Sequence, residues 1–176
     1  MYEAPVPLHH FSFGFYFKAL TRMLAEPRRF FRELSWDAGW KQPVGFLIVS
    51  GLFSSLAGLT QGSYATPVLM GSIFFMNAVG MAVIAASLGY LVVIAVMGGC
   101  ITFRRLFSIY AFSAGVTLLA SWIPYFVWLT EPWKWWLIAV GLVHGCRFSW
   151  KQSLIVTAVS FSLVVFIFWL LNAGIT

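Results

Sequence analysis

Acidic residues are scarce in this sequence, and no long apolar segment contains one. The 176 residues include only five Asp and Glu side chains, at positions 3, 26, 33, 37 and 131. Carriers of protons or cations usually need a carboxylate among their apolar segments. Motifs for nucleotide binding, nucleophilic catalysis and metal coordination are absent as well. We therefore expect no enzyme activity, no catalytic residue, no cofactor and no metal.

Charge of either sign is missing from residues 67–102, which contain no Asp, Glu, Lys, Arg or His. Hydrophobic residues make up 61% of the chain and charged residues 9%. Such a surface cannot be hidden in a soluble fold of this length, so the composition predicts an integral membrane protein. The net charge of +6 then reflects where the cations lie relative to the membrane, and we expect no nucleic acid partner.

The uncharged segment 67–102 is too long for a single membrane crossing. As one helix it would extend about 54 Å, against a hydrocarbon core of about 30 Å. It forms either one helix with an end outside the lipid or two spans joined by a tight turn. We favour one helix, because the segment has no internal Pro or charged pair to make that turn.

Glycine recurs every nine residues along this segment. Nine residues are two and a half helical turns, so alternate glycines lie on opposite faces. Since small residues let helices approach closely in lipid, the pattern predicts a central helix contacted on two sides, although chance would also produce it. A GxxxG pair occurs further along the chain. The candidate packing glycines are Gly71, Gly80, Gly89, Gly98, Gly141 and Gly145.

The apolar segments predict an all-α, polytopic membrane protein with five spans after an amino-terminal segment of residues 1–43. The predicted spans within the membrane domain 44–173 are residues 44–60, 67–102, 106–129, 135–146 and 153–172. Of the 11 Lys and Arg residues, all except Lys134 fall on one side of this arrangement. The positive-inside rule makes that side cytoplasmic. We therefore predict an amino terminus inside and a carboxyl terminus outside.

The amino-terminal segment has apolar residues at helical spacing, with Lys18 and Arg22 on another face. This pattern predicts an amphipathic helix lying in the membrane surface. Pro27 suits the first turn of a second short helix. The alternative is that the segment packs on the protein's own cytoplasmic face, and the two interpretations are compatible. The apolar positions are Phe13, Phe17, Leu20 and Leu24.

Three groups of candidate contact residues follow from this topology. His144 and Asn77 are candidate polar sites inside spans, either as ligand contacts or as hydrogen-bond partners of neighbouring groups. Tryptophans expected at the membrane borders are Trp36, Trp40, Trp133, Trp135 and Trp136. Cations expected to contact lipid headgroups are Lys18, Arg22, Arg28, Arg29, Arg32, Arg104, Arg105, Arg147 and Lys151.

Three stretches of the sequence resemble the Yip-domain family of polytopic membrane proteins, which is named for eukaryotic members that interact with Ypt/Rab GTPases. They are EPRRFFREL at 26–34 with KQP at 41–43, TFRRLFSIYA at 102–111, and the segment 136–153. The resemblance covers roughly residues 25–172. The chain looks more like compact prokaryotic members, because the acidic Asp-Leu-Tyr-Gly-Pro stretch of eukaryotic members is absent. The resemblance implies five spans with a cytoplasmic amino terminus, here in a bacterial inner membrane.

Two hypotheses about function come from these observations. The first is a non-enzymatic membrane scaffold that binds lipids, chiefly anionic ones, or protein partners and organises the bilayer. The second is a small transporter or channel for a neutral or lipidic solute, or an accessory subunit of a larger membrane complex. The absence of charge inside the spans favours the scaffold over ion transport. Expected partners are membrane lipids, a second copy of the chain or another membrane protein.

Overall fold

A computed structural model describes residues 12–34, 39–99, 101–123 and 125–173. Within these ranges the chain forms seven α-helices and no β-strand, so the predicted all-α fold is confirmed. The helices are α1 (Phe13–Ala25), α2 (Pro27–Glu33), α3 (Lys41–Leu59), α4 (Pro67–Met97), α5 (Phe103–Ser121), α6 (Val127–Cys146) and α7 (Trp150–Ala173).

Local sequence explains where several helices begin and end. Pro27 and Pro67 occupy the start of α2 and α4, where a helix needs no backbone N–H. Helix α4 stops at Gly98, whose φ of +69° is a left-handed conformation that glycine adopts at little steric cost. At the start of α7, the Ser149 N–H donates to Gln152 Oε1 at 2.9 Å and the Gln152 N–H donates to Ser149 Oγ at 3.3 Å. This reciprocal pair is a capping box.

Helix α5 lies at the centre of the bundle, in contact with α3, α4 and α6. Eleven of its 19 residues are buried. Close approach to α3 depends on Gly115, because a Cβ there would lie 2.6 Å from ring atoms of Phe46. Helix α4, within the uncharged segment 67–102, also contacts three helices, α3, α5 and α7, but only five of its 31 residues are buried, so α5 is the more enclosed of the two. That segment is the most apolar because much of α4 is exposed on the outside of the bundle, whereas α5 is sheltered by its neighbours.

The glycines of α4 do not form the predicted two-sided packing pattern. Gly89 lies against the Tyr110 side chain of α5, and a Cβ at Gly71 would lie 3.1 Å from Leu59 of α3. At Gly80 an added Cβ would meet no heavy atom within 4 Å. Gly98 ends the helix and makes no packing contact of this kind. The four glycines at nine-residue spacing therefore have different roles. Gly71 and Gly89 pack against neighbouring helices, Gly80 has open space beside it, and Gly98 ends the helix.

The predicted glycine pair at 141 and 145 does lie where α5 and α6 approach each other. A Cβ at Gly141 would come within 2.5 Å of Ile109 Cγ2, so only glycine permits this spacing. At Gly145 the backbone carbonyl accepts a hydrogen bond from Arg105 Nη2. The two contacts place α5 and α6 antiparallel, with Arg105 beside the carboxyl end of α6.

Three helices in the described part of the chain are long and apolar enough to cross a membrane: α3, α4 and residues Trp150–Ile167 of α7. Helix α4 has 31 residues and is about 46 Å long, so it exceeds the hydrocarbon core as the sequence predicted. Helices α5 and α6 have 19 and 20 residues, which is also a spanning length. Their charged residues lower their hydropathy.

The ends of the predicted third and fourth spans differ from the structure. Helix α5 ends at Ser121 rather than near residue 129, and α6 begins at Val127 rather than at residue 135. Residues 130–134, predicted as an outer turn, are helical. Glu131 Oε1 and Lys134 Nζ lie 2.6 Å apart, one turn apart along α6, so their charges compensate each other within the helix. Pro132 lacks only the N–H that would reach the carbonyl four residues earlier.

Candidate membrane interaction surface

Helix α1 is attached to the bundle by one of its faces. Tyr16, Ala19 and Met23 are buried. The Tyr16 hydroxyl lies 3.0 Å from Ser50 Oγ in a buried hydrogen bond, about halfway along α3. The Tyr16 ring also packs on Phe46, with ring centroids 4.8 Å apart. Of the two interpretations of this segment, packing on the protein's own surface is therefore present.

Helix α2 continues this attachment across α5 and α6. Its Phe30 ring lies 5.2 Å from the ring of Phe112 on α5. Phe31 is fully buried, and its Cε1 lies 3.3 Å from the position that a Cβ of Gly141 would occupy. Helices α1 and α2 also contact each other, so they form a helical hairpin wedged against α3, α5 and α6. We call residues 12–34 the amino-terminal hairpin.

The opposite face of α1 carries exposed apolar side chains. Phe13 is 70% exposed, Phe17 is 63% exposed and Leu24 is 54% exposed. Leu20, predicted to share this face, is half-buried. These three exposed residues, which we call the apolar stripe, have no contact with the bundle that would remove them from solvent. A large apolar patch of this kind marks a surface that meets lipid or another protein.

The hairpin also carries charged side chains, and part of their charge is neutralised by ion pairs within it. Arg29 Nε lies 2.7 Å from Glu33 Oε1, and Arg29 Nη1 lies 3.4 Å from Glu26 Oε2. Arg22 Nη1 is 3.5 Å from Glu33 Oε2. The hydrogen bond from Arg29 holds the pKa of Glu33 below its ordinary value. These pairs are therefore complete at neutral pH and are lost as the pH falls through that lowered pKa.

The remaining cations lie on the hairpin and near the ends of α5, α6 and α7, and they differ in exposure. Arg28 and Arg32 on α2 are exposed, as are Arg147 and Lys151 between α6 and α7, whereas Lys18 and Arg104 are half-buried. Arg147 ends α6 in a left-handed conformation, with φ of +58°. The guanidinium of Arg105 donates a hydrogen bond to the Gly145 carbonyl. A cation is favourable there, because the carboxyl end of a helix carries partial negative charge.

The predicted aromatic border is divided between exposed and inward-facing rings. Trp133 and Trp136 stack with centroids 4.8 Å apart and are both exposed at 38%. Trp135 instead points into the bundle, where its ring lies 5.3 Å from Phe161 of α7. Trp40 is 46% exposed and packs on Phe107 of α5. Trp36 lies outside the described residues.

The two candidate polar residues differ in burial, since His144 is half-buried and Asn77 is exposed. His144 Nδ1 lies 3.1 Å from the Val140 carbonyl oxygen of its own helix, so it satisfies a local hydrogen bond. Asn77 is exposed on the amino-terminal half of α4. Among the described residues there is no group of three or more His, Cys, Asp or Glu side chains that could hold a metal ion.

A family model described as the Yip1 domain matches residues 21–172, from the end of α1 to the end of α7. The chain belongs to the Yip1-domain family. The resemblance inferred from residues 26–34, 102–111 and 136–153 is thereby confirmed. No curated protein and no solved structure gives a match. Membership of the Yip1-domain family and the three apolar helices together support a membrane protein.

The residue that fixes the hairpin to the bundle could not be singled out from the sequence. Tyr16 lies between Phe15 and Phe17 in the sequence. The helical spacing of Phe13 and Phe17 predicts an apolar face on the side of α1 that the bundle leaves exposed, not on the side of Tyr16. The only signal was that α1 also has apolar residues at 16, 19 and 23, which share a second face.

Removing the Tyr16 side chain is expected to loosen the amino-terminal hairpin. Tyr16→Ala deletes the hydrogen bond to Ser50 and the packing on Phe46, and losing a buried aromatic ring costs about 3–5 kcal/mol. Trypsin should then cut after Lys18 and Arg22 at least tenfold faster in the full chain held in detergent. Phe17→Ala is the matched control, because Phe17 is exposed. Equal cleavage rates for the two variants would contradict the docking of α1 on α3.

Proposed function

We propose that this Yip1-domain protein is a non-enzymatic integral membrane scaffold that binds anionic lipid through its amino-terminal hairpin. The observation that carries the proposal is the two-sided character of α1. One face is fixed to α3 through Tyr16, and the other presents Phe13, Phe17 and Leu24 outward. Because α1 is fixed in this way, its apolar stripe always faces the surroundings of the bundle and is available for contact with lipid.

The composition of the hairpin favours lipid as the contacting surface. Burying an exposed Phe or Leu side chain contributes about 1.5–3 kcal/mol, so the apolar stripe supplies a large favourable term in contact with acyl chains. Exposed Arg28 and Arg32 each contribute about 1 kcal/mol near an anionic surface, within a Debye length of about 8 Å. The ion pairs of Arg29 reduce its own contribution. The apolar term is therefore the larger of the two.

The proposal places five spans, α3 to α7, in the membrane, and the hairpin enters from the cytoplasmic side so that Tyr16 and Phe30 pack about halfway along α3 and α5. Helices α5 and α6 are less apolar than the other three, yet α5 needs little lipid-compatible surface because its neighbours cover it. The cations of the hairpin, of residues 104–105 and of residues 147–151 then share one side. Lys134, paired with Glu131, lies in the amino-terminal half of α6, nearer the other side. This distribution follows the positive-inside rule.

The topology predicts opposite labelling of two exposed serines. With Cys100 and Cys146 replaced by Ser, Ser63→Cys between α3 and α4 should react with an impermeant maleimide added to intact cells. Ser149→Cys between α6 and α7 should react only after the membrane is permeabilised. Both native serines are exposed, so the difference reports the side of the membrane. Labelling of Ser149→Cys in intact cells would exclude the five-span arrangement.

The lipid-binding proposal predicts that the apolar stripe and the hairpin cations retain anionic lipid. Full-length protein is solubilised from vesicles that contain a labelled anionic lipid, and the lipid that copurifies is counted per chain. The Phe13→Ser, Phe17→Ser double variant should lose more than half of it, and Arg28→Gln, Arg32→Gln should lose a smaller share. Glu33→Gln should retain more, because Arg29 and Arg22 are released from their carboxylate partner.

A matched control for this measurement is Val68→Ser, Ile73→Ser on the exposed outer half of α4. It removes a similar apolar area far from the hairpin and should leave anionic lipid retention unchanged. If the hairpin variants keep as much anionic lipid as the wild-type chain, the hairpin does not bind lipid and the scaffold proposal loses its mechanism.

A further inference from the structure

Five neutral polar side-chain atoms are buried in the bundle without a hydrogen-bond partner among the described residues. They come from three helices, α5, α6 and α7, and all are neutral groups. We call these residues the central polar cluster. The atoms are Tyr110 Oη, Ser113 Oγ, Trp135 Nε1, Thr157 Oγ1 and Ser160 Oγ.

The members of the central polar cluster lie at one level of the bundle. Tyr110 and Ser113 are about 10 and 15 Å along α5 from Phe103, and Thr157 and Ser160 are equally far along α7 from Trp150. Trp135 is about 16 Å from the carboxyl end of α6. All three of these helix ends are marked by inner-turn cations. The cluster is therefore near the middle of a hydrocarbon core about 30 Å thick.

Contacts between the helices bring Tyr110 and Ser160 together and place Trp135 against α7. The Tyr110 side chain of α5 passes Gly89 of α4, and its hydroxyl lies beside Ser160 of α7. Trp135 of α6 contacts Phe161, the residue after Ser160. One turn nearer the inner side, Ser153 Oγ donates to the Ala139 carbonyl at 2.8 Å and fixes the register of α6 and α7.

Several other helix hydroxyls among the described residues have a partner in the preceding turn of their own helix, whereas those of the cluster do not. The hydroxyls of Ser55, Ser87 and Ser108 each donate to the carbonyl four residues earlier. Ser113, Thr157 and Ser160 do not follow this pattern, although they are at most 8% exposed. A buried polar group left without a partner costs about 1–3 kcal/mol, and the four hydroxyls and one indole N–H of the cluster together would be strongly destabilising for so small a domain.

From this arrangement we infer that the central polar cluster binds water inside the membrane domain. Water is the small neutral molecule that both donates to and accepts from hydroxyls and accepts from an indole N–H. Buried waters typically make about three hydrogen bonds to otherwise unsatisfied groups, and the cluster offers such groups from three helices. A charged ligand does not fit, because no charged side chain belongs to the cluster. The bound water would join α5, α6 and α7 at their common level.

The decisive experiment detects water at Trp135 in the full-length protein in lipid nanodiscs. Protein labelled with 15N at tryptophan indoles is assigned with Trp135→Phe, and magnetisation transfer from water to each indole N–H is recorded. The account predicts a water cross-peak at Trp135 Nε1–H that weakens at least twofold in Ser160→Ala. Absence of that cross-peak in the wild-type protein overturns the proposal, whatever the stability of the variants.

Thermal unfolding tests whether the hydroxyls themselves hold the water. Thr157→Val, which conserves shape, and Ser160→Ala should each lower the melting temperature by about 2–4 °C, because each removes a partner of the bound water. Ser162→Ala, at an exposed position of the same helix, should not change it. A higher melting temperature in both cluster variants would mean that the hydroxyls were buried dry, and would overturn their assignment as water ligands.

Discussion

The contact of Tyr16 with Phe46 and Ser50 is the interaction on which the amino-terminal surface depends. It occupies the middle of α3 at the point where Gly115 allows α5 to approach, so the hairpin, α3 and α5 share one packed region. Because this contact buries one face of α1, the opposite face of the helix must be exposed. The apolar stripe is thus a consequence of how the bundle is packed.

The extent to which neighbouring helices cover a helix decides how apolar that helix must be. Helix α5 contains several Ser and Thr side chains and two arginines near its start, yet it is the most enclosed helix because α3, α4 and α6 surround it. Helix α4 has the longest uncharged run, and many of its apolar side chains are exposed. The apolarity of a segment therefore follows its exposure on the outside of the bundle, and burial at the centre is compatible with polar residues that have local or shared partners.

The fold class, the long fourth helix and the family followed from the sequence because they depend on composition and on motifs of neighbouring residues. The role of α5 did not, since a central position depends on contacts among distant segments and its charged start resembled a loop boundary. The helical spacing of Phe13 and Phe17 was visible, whereas the buried role of Tyr16 needed the position of Ser50. Likewise Ser113, Thr157 and Ser160 are unremarkable in sequence and become informative only when three helices bring them to one level.

The central claim is that the apolar stripe of the docked hairpin contacts acyl chains. The most direct test places a spin label at Phe17→Cys, in a chain without other cysteines, and compares relaxation by oxygen with relaxation by a water-soluble nickel complex in anionic bilayers. Glu26→Cys, in the exposed link between α1 and α2, is the reference. The account predicts that the label at position 17 is accessible to oxygen and protected from nickel, unlike the label at 26. Equal nickel accessibility at the two positions would contradict it.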